Sequence, residues 1–418
     1  MVRKGALFVR KQVSPTVVAV SLLVTLGIIQ ALYWRGLLSK PPGGEMEMGG
    51  GGGMEMGEPP PTGLPGVQVT TLAGRPVPGR TDGPGWAARF NGPSAVAVDR
   101  QGRVFVTDSR NHSLRCITPS GAVETLVVGG PMDGLMLPSA GEERPRLWNP
   151  SGLAVGANGT VYIADTGHHR LCRLEPDGTL SVLAGDPGPR DESGWPQGGF
   201  RDGKGSGARF RYPLGLACDR EGYLWVADLG NRALRRVSPT GEVVTVVGGP
   251  HQSVFTTPCA VEVEAAGRIY VADAGRHAVL EVTPEGQVRP LPLPRPPERV
   301  TVAALMAAAD PLHPAPRGVR LLQPTGLAIS AEGTLYLTDA AVHCLFRATP
   351  EGELTLLAGA FDETGVPGYL DGPGNQARFA TPCGLTIKGG VLYVADFDNH
   401  CVREVRGILV TTQPVQPD

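Results

Sequence analysis

Pro150-Ser151-Gly152-Leu153-Ala154-Val155, a glycine turn, Val161-Tyr162-Ile163-Ala164-Asp165 and a short polar loop closing on His169 form a phrase that the chain repeats six times. The copies begin at Pro93, Pro150, Pro213, Pro258, Pro324 and Pro382. Their second apolar runs end in Asp108, Asp165, Asp228, Asp273, Asp339 and Asp396, followed at one fixed offset by His112, His169, Arg232, His277, His343 and His400. Working outward, each copy adds a third apolar run (171–174, 234–237, 279–282), a Pro-x-Gly turn such as Pro176-Asp177-Gly178, and a fourth run such as Leu180-Ser181-Val182-Leu183-Ala184. Short runs rich in Val, Leu and Ile between Gly and Pro turns read as strands, and helical spacing is nowhere sustained. Four strands per unit, repeated radially, predict an all-β six-bladed β-propeller of four-stranded antiparallel blades.

The repeated phrases resemble the NHL repeat family over residues 68–412, most clearly at Tyr162-Ile163-Ala164-Asp165, Tyr270-Val271-Ala272-Asp273 and Tyr393-Val394-Ala395-Asp396. The family's Asn before the closing His is kept at Asn111, Asn231 and Asn399 and replaced by His168, Arg276 and Val342. The resemblance implies a binding propeller, and some members of the family bind RNA. A formal net charge of −2 gives no basic footprint for nucleic acid, so none is expected as a partner.

Anchor acids are spaced by 57, 63, 45, 66 and 57 residues, more than a bare blade needs. The excess falls at 130–147, 186–209, 290–319 and 360–378, between the fourth strand of one blade and the first of the next. Antiparallel connectivity puts these insertions and the Asp-to-His loops at the same end of each blade, so one face is expected to carry the variable loops that bind partners. Ring closure has two candidates, residues 67–73 and 408–412. The N-terminal one is favoured, because a last blade built from both chain ends leaves no edge that peels easily. The 59 glycines and 40 prolines among 418 residues are then turns within strand periodicity.

Residues 1–66 read differently. Positions 12–34 are uncharged and mostly apolar, long enough for a transmembrane signal-anchor helix. Arg3, Lys4, Arg10 and Lys11 before it place residues 1–11 in the cytoplasm and the propeller (67–412) outside it, periplasmic or extracellular. A cleaved signal peptide is the rival, disfavoured by bulky Leu32-Tyr33-Trp34. Residues 35–66 are a flexible linker whose Met clusters could hold Cu(I), though compositional drift explains them more simply, and 413–418 are a tail. Seven scattered cysteines lack metal-type spacing; Cys344 and Cys401 are equivalent positions in adjacent blades, on strands expected to lie too far apart for a disulfide.

Residues recurring in every blade are expected to hold the blade together, so the six anchor acids and His112, His169, His277, His343 and His400 are assigned to structure. The same applies to Asp-Gly-x-Gly-x-x-Ala-Arg-Phe, written at 82–90, 202–210 and 371–379, where Asp-Gly turns and the aromatic wedges between blades. Departures are the candidates for function. His168, His251 and His313 are off-pattern and could hold zinc together with an open fourth position, as in peptide-amidating propeller lyases, which the chain resembles in architecture. Glu262 stands where the other innermost strands carry Ala97, Ala154, Ala217, Ala328 and Thr386. Its charge must meet water, a cation or an arginine. Two functions follow: a membrane-tethered platform for a protein, peptide or glycan, with no cofactor; or a metal-dependent lyase or lactonase using zinc or calcium. No nucleophile–base pair, phosphate loop or H-E-x-x-H run supports the second, and the platform is the expectation carried forward.

Overall fold

The computed structural model describes residues 64, 66–129, 145–190, 196–294, 321–360 and 367–408. Six antiparallel sheets follow the six sequence units. Blade 1 comprises Pro93–Val98, Val104–Asp108, Ser113–Ile117 and Ala122–Val127; blade 2, Leu153–Val155, Val161–Asp165, Arg170–Leu174 and Leu180–Ala184. Blade 3 comprises Pro213–Cys218, Leu224–Asp228, Ala233–Val237 and Glu242–Gly248; blade 4, Pro258–Val263, Ile269–Asp273, Ala278–Val282 and Val288–Pro290. Blade 5 comprises Pro324–Ile329, Leu335–Asp339, Cys344–Ala348 and Leu354–Ala358. Blade 6 has three strands from the C-terminal part, Pro382–Lys388, Val391–Asp396 and Cys401–Arg406, and is completed by N-terminal Gln68–Gly74, which pairs antiparallel with Cys401–Arg406 from Gln68↔Arg406 to Gly74↔Cys401. The N-terminal segment therefore closes the ring.

Closure also shows in the packing. Six buried apolar clusters correspond to the six seams between blades, including one in which Ala395 and Val402 of blade 6 pack with Val96, Val104 and Val106 of blade 1. Near the axis the seams are tight. A Cβ on Gly152 would lie 1.9 Å from the Leu214 carbonyl oxygen of the next blade, so only glycine allows that approach. Phe90, Phe210 and Phe379 are each fully buried in a seam.

The insertions depart from expectation. Those at 186–209 and 360–378, where described, are not free loops on one face: Gly203–Lys204 pairs with the outer strand Glu242–Gly248 of blade 3, and Gly372–Pro373 pairs with Gln68–Gly74 of blade 6. Gly83–Pro84 does the same on blade 1. Each adds a two-residue fifth strand to an outer edge, covering backbone groups that would otherwise template association. Most of 130–147 and 290–319 lies outside the described residues, as does the proposed membrane segment 12–34. Among the described residues no helix is long and apolar enough to cross a membrane.

Candidate functional site

The repeat residues build two polar devices. In the first, each anchor acid is fully buried and its carboxylate accepts a backbone N–H from the connection entering its own blade: Asn91 to Asp108 at 2.7 Å, Trp148 to Asp165 at 2.7 Å, Arg211 to Asp228 at 2.8 Å, Ala380 to Asp396 at 2.8 Å. Asp273 and Asp339 each accept two such amides. In blades 1, 3 and 6 a fully buried arginine completes the arrangement. Arg235 donates to Asp228 at 2.8 Å, to Asp202 at 2.7 Å and to the carbonyls of Arg209 and Arg201, with its guanidinium between the rings of Phe200 and Phe210. Arg115 and Arg403 make the matching bonds to Asp108 with Asp82 and to Asp396 with Asp371. Asn111, Asn231 and Asn399 donate to the same acids. Burial pushes the Asp108, Asp228 and Asp396 carboxyls up to about 6, opposed by these donors.

In the second device the loop-closing residue reaches the next blade. His112, His169, His277, His343 and His400 all sit in the left-handed backbone region, between φ 54 and 56, which His tolerates better than most residues. Nδ1 of His112 accepts from Asn149 N–H, His169 from Tyr212, His343 from Thr381 and His400 from Gly92, at 3.0–3.1 Å, each donor lying at the entry to the following blade. His277 lies against the Leu322 carbonyl instead. The recurrent imidazoles are thus inter-blade latches rather than partners of the neighbouring acid. An amide N–H can donate only to an unprotonated Nδ1, so the proton of His169 is on Nε2, 3.0 Å from the Pro196 carbonyl. Burial pulls its pKa down to about 4 and lowers those of His112, His343 and His400.

The off-pattern histidines do not form a metal centre among the described residues, where no group of three His, Cys, Asp or Glu converges. Nδ1 of His168 lies 2.9 Å from Asp165, in the position the asparagines take in blades 1, 3 and 6, and its ring packs edge-on against Trp148. His251 is exposed between blades 3 and 4, and His313 lies outside the described residues. None of the seven cysteines, Cys344 and Cys401 included, forms a disulfide among the described residues.

Glu262 lies elsewhere. Near the end of the innermost strand of blade 4, it lines a cavity of about 230 Å³ with Cys218, Asp219 and Arg220 of blade 3 and Ile329, Ser330 and Ala331 of blade 5. These are strand ends and turns between first and second strands, so the cavity opens at the axial mouth opposite the Asp-to-His loops. Asp219 accepts Tyr223 N–H and the Trp225 indole; Glu264 forms a two-pronged ion pair with Arg268. Among the described residues, half-buried Glu262 meets only the Val263 amide, at 3.4 Å, and desolvation pushes its carboxyl up to about 7. Cross-strand Tyr270 is fully buried, with its hydroxyl unpartnered.

A second feature was not singled out in the sequence. Large apolar side chains left exposed lie on outer strands and their attachments, and four belong to blade 1: Val77, Leu126, Val128 and, 80% exposed, Trp86. Trp86 occupies the motif position held by Ser206 and Asn375 in the sister copies, a comparison that would have flagged it.

Among known proteins, the chain is 26% identical to NHL repeat-containing protein 2 of Bos taurus over 282 residues, 59% of this chain and 36% of that protein. It spans about a third or less of the length of the first curated relatives it matches. Among solved structures it resembles an auxiliary nutrient binding protein from Bacteroides thetaiotaomicron, with a TM-score of 0.57 at 16% identity over 81% of this chain and 76% of the other. It also resembles a gluconolactonase from Xanthomonas campestris, with a TM-score of 0.51 at 13% identity over 82% and 91%. At these identities the likeness is one of fold. Residues 90–117 and 147–174, the central strands of blades 1 and 2, match the NHL repeat.

Proposed function

We propose that this propeller is a protein-interaction platform that makes contact through the outer rim of blade 1. Trp86 carries the reading. A tryptophan 80% exposed is unfavourable for a lone domain, and its sister positions hold Ser206 and Asn375, so the fold does not require it. Buried aromatic anchors dominate protein interfaces, where truncation costs about 2 kcal/mol or more. Leu126 on the outer strand of the same blade and Val128 just past its end are also exposed. The sequence pattern of residues 12–34 supports membrane attachment with the propeller outside the cytoplasm, and this belongs to the same proposal. For a lyase or lactonase reading His168 is engaged with Asp165, which leaves Glu262 and the exposed His251 as its described candidates.

The test is affinity capture with the full chain from its native membrane extract, comparing wild type with Trp86→Asn, which installs the residue of the blade 6 copy. A partner retained by wild type and weakened about 30-fold or more in the variant, at unchanged melting temperature, is expected. Equal capture by both would overturn the assignment.

A further inference from the structure

We infer that the Glu262 cavity is a binding site for a single organic cation, an ammonium or guanidinium group on a short alkyl stem. The cavity is on the far side of the ring from the blade 1 rim, so this inference is independent of the platform proposal.

Three observations converge on it. Repetition supplies the first. Four sister strands place alanine at this position and one places threonine, so six-fold packing needs no charge there. Second, the acids around the cavity are unequal. Asp219 and Glu264 already hold donors from their own blades, whereas Glu262 receives only the neighbouring amide. Arg220 lines the same cavity and is exposed, yet forms no ion pair with Glu262. Glu262 is half-buried at the cavity wall, so its carboxylate is partly desolvated without a counter-charge, and an entering cation offsets that cost.

The third observation is size and lining. About 230 Å³ exceeds what one or two waters fill, at roughly 30 Å³ each, and suits a short alkyl stem with a charged head. Val263, Ile329, Cys218, Ala265 and Ala331 offer an apolar wall for the stem, and Ser330 adds a hydroxyl. An inorganic divalent ion would demand several oxygen ligands from groups already engaged, and no such set converges among the described residues. The same chemistry could arrive as a free amine or as a lysine or arginine side chain of a partner.

Calorimetric titration of the full chain tests the assignment, using n-butylammonium, blocked arginine amide and a short lysine-containing peptide at constant ionic strength, with n-butanol and calcium chloride as controls. Saturable binding of the cations is expected, lost at least tenfold in Glu262→Ala. That variant restores the residue of Ala97, Ala154, Ala217 and Ala328, so it is expected to fold and to melt above wild type without ligand. Tighter binding of the peptide would identify a partner side chain as the source; equal binding, a free amine. Cation binding unchanged in Glu262→Ala, n-butanol binding as well as n-butylammonium, or calcium binding in preference to the amines would each overturn the inference. A Glu262→Ala protein that melts below wild type would also overturn it, since the carboxylate would then be part of the fold.

Discussion

Acidification should loosen the ring through the histidine latches, and His169 allows the size of the effect to be worked out. It is 1% exposed, its Nδ1 accepts the Tyr212 amide at 3.0 Å, and burial pulls its pKa from 6.5 to about 4. Protonation would set an N–H against an N–H and break the latch. For a group with a depressed folded pKa of this kind, the unfolded chain binds more protons between the two values. The stabilisation is therefore complete above about 6.5 and is lost as pH falls toward 4. At 1.36 kcal/mol per pKa unit, lowering the pH from 7.5 to 5 costs about 2 kcal/mol at this one residue. His112, His343 and His400 shift in the same direction. Asp108, Asp228 and Asp396, raised to about 6, work with the opposite sign and gain stability as pH falls through that value. A bare pH profile therefore mixes both. His169→Asn separates them, because asparagine tolerates the left-handed backbone, offers an acceptor oxygen and does not titrate. Urea unfolding of both proteins at pH 7.5 and 5 should show the wild-type advantage shrinking by about 2 kcal/mol on acidification. A difference that stays constant, or grows in acid, would refute the latch.

Two further perturbations test the packing. Arg235→Leu, which installs the residue of Leu280 in blade 4, strands Asp228 without its buried cation and should cost about 3–5 kcal/mol in urea unfolding; adding Asp228→Asn should restore part of it. Gly152→Ala, with its Cβ 1.9 Å from a backbone oxygen, should cost about 2 kcal/mol or more, whereas Gly207→Ala, whose Cβ meets nothing within 4 Å, should stay within about 0.5 kcal/mol; equal effects in thermal melts would dismiss the tight seam.

The architecture was legible because it is periodic: short runs rich in Val, Leu and Ile set the strands, the Pro-x-Gly turns set their ends, and six copies set the blade number. Closure by residues 67–73 followed from the cost of leaving an edge that peels easily. What stayed hidden were contacts between positions far apart in sequence. Three facts were each visible alone: the asparagines at 111, 231 and 399, the Asp-Gly motifs at 82, 202 and 371, and arginines seven residues after the anchor acid at 115, 235 and 403. All three mark blades 1, 3 and 6, and their co-occurrence signals one buried network. Without it, the insertions looked like free loops and the closing histidines looked internal to their own blades. His168 stood apart for the same reason: as a substitute for asparagine it bonds Asp165, a contact that spacing alone does not reveal.

Glu262 and Trp86 are informative through the direction of their departure. In six near-copies of one packing problem, a position free to drift tends to drift toward residues the environment accepts at little cost. Glu262 moves from alanine to a carboxylate without a counter-charge, and Trp86 from serine or asparagine to a large aromatic left in water. Each change works against the isolated domain, and sibling blades show that the fold is built without either. His168 is the contrasting case: it also departs from its siblings, yet it bonds the same acid they bond and so needs no explanation beyond the fold. That separates a departure that repairs the repeat from one that charges it a cost, and it directs the search for ligands to the axial mouth between blades 3 and 5 and for partners to the rim of blade 1.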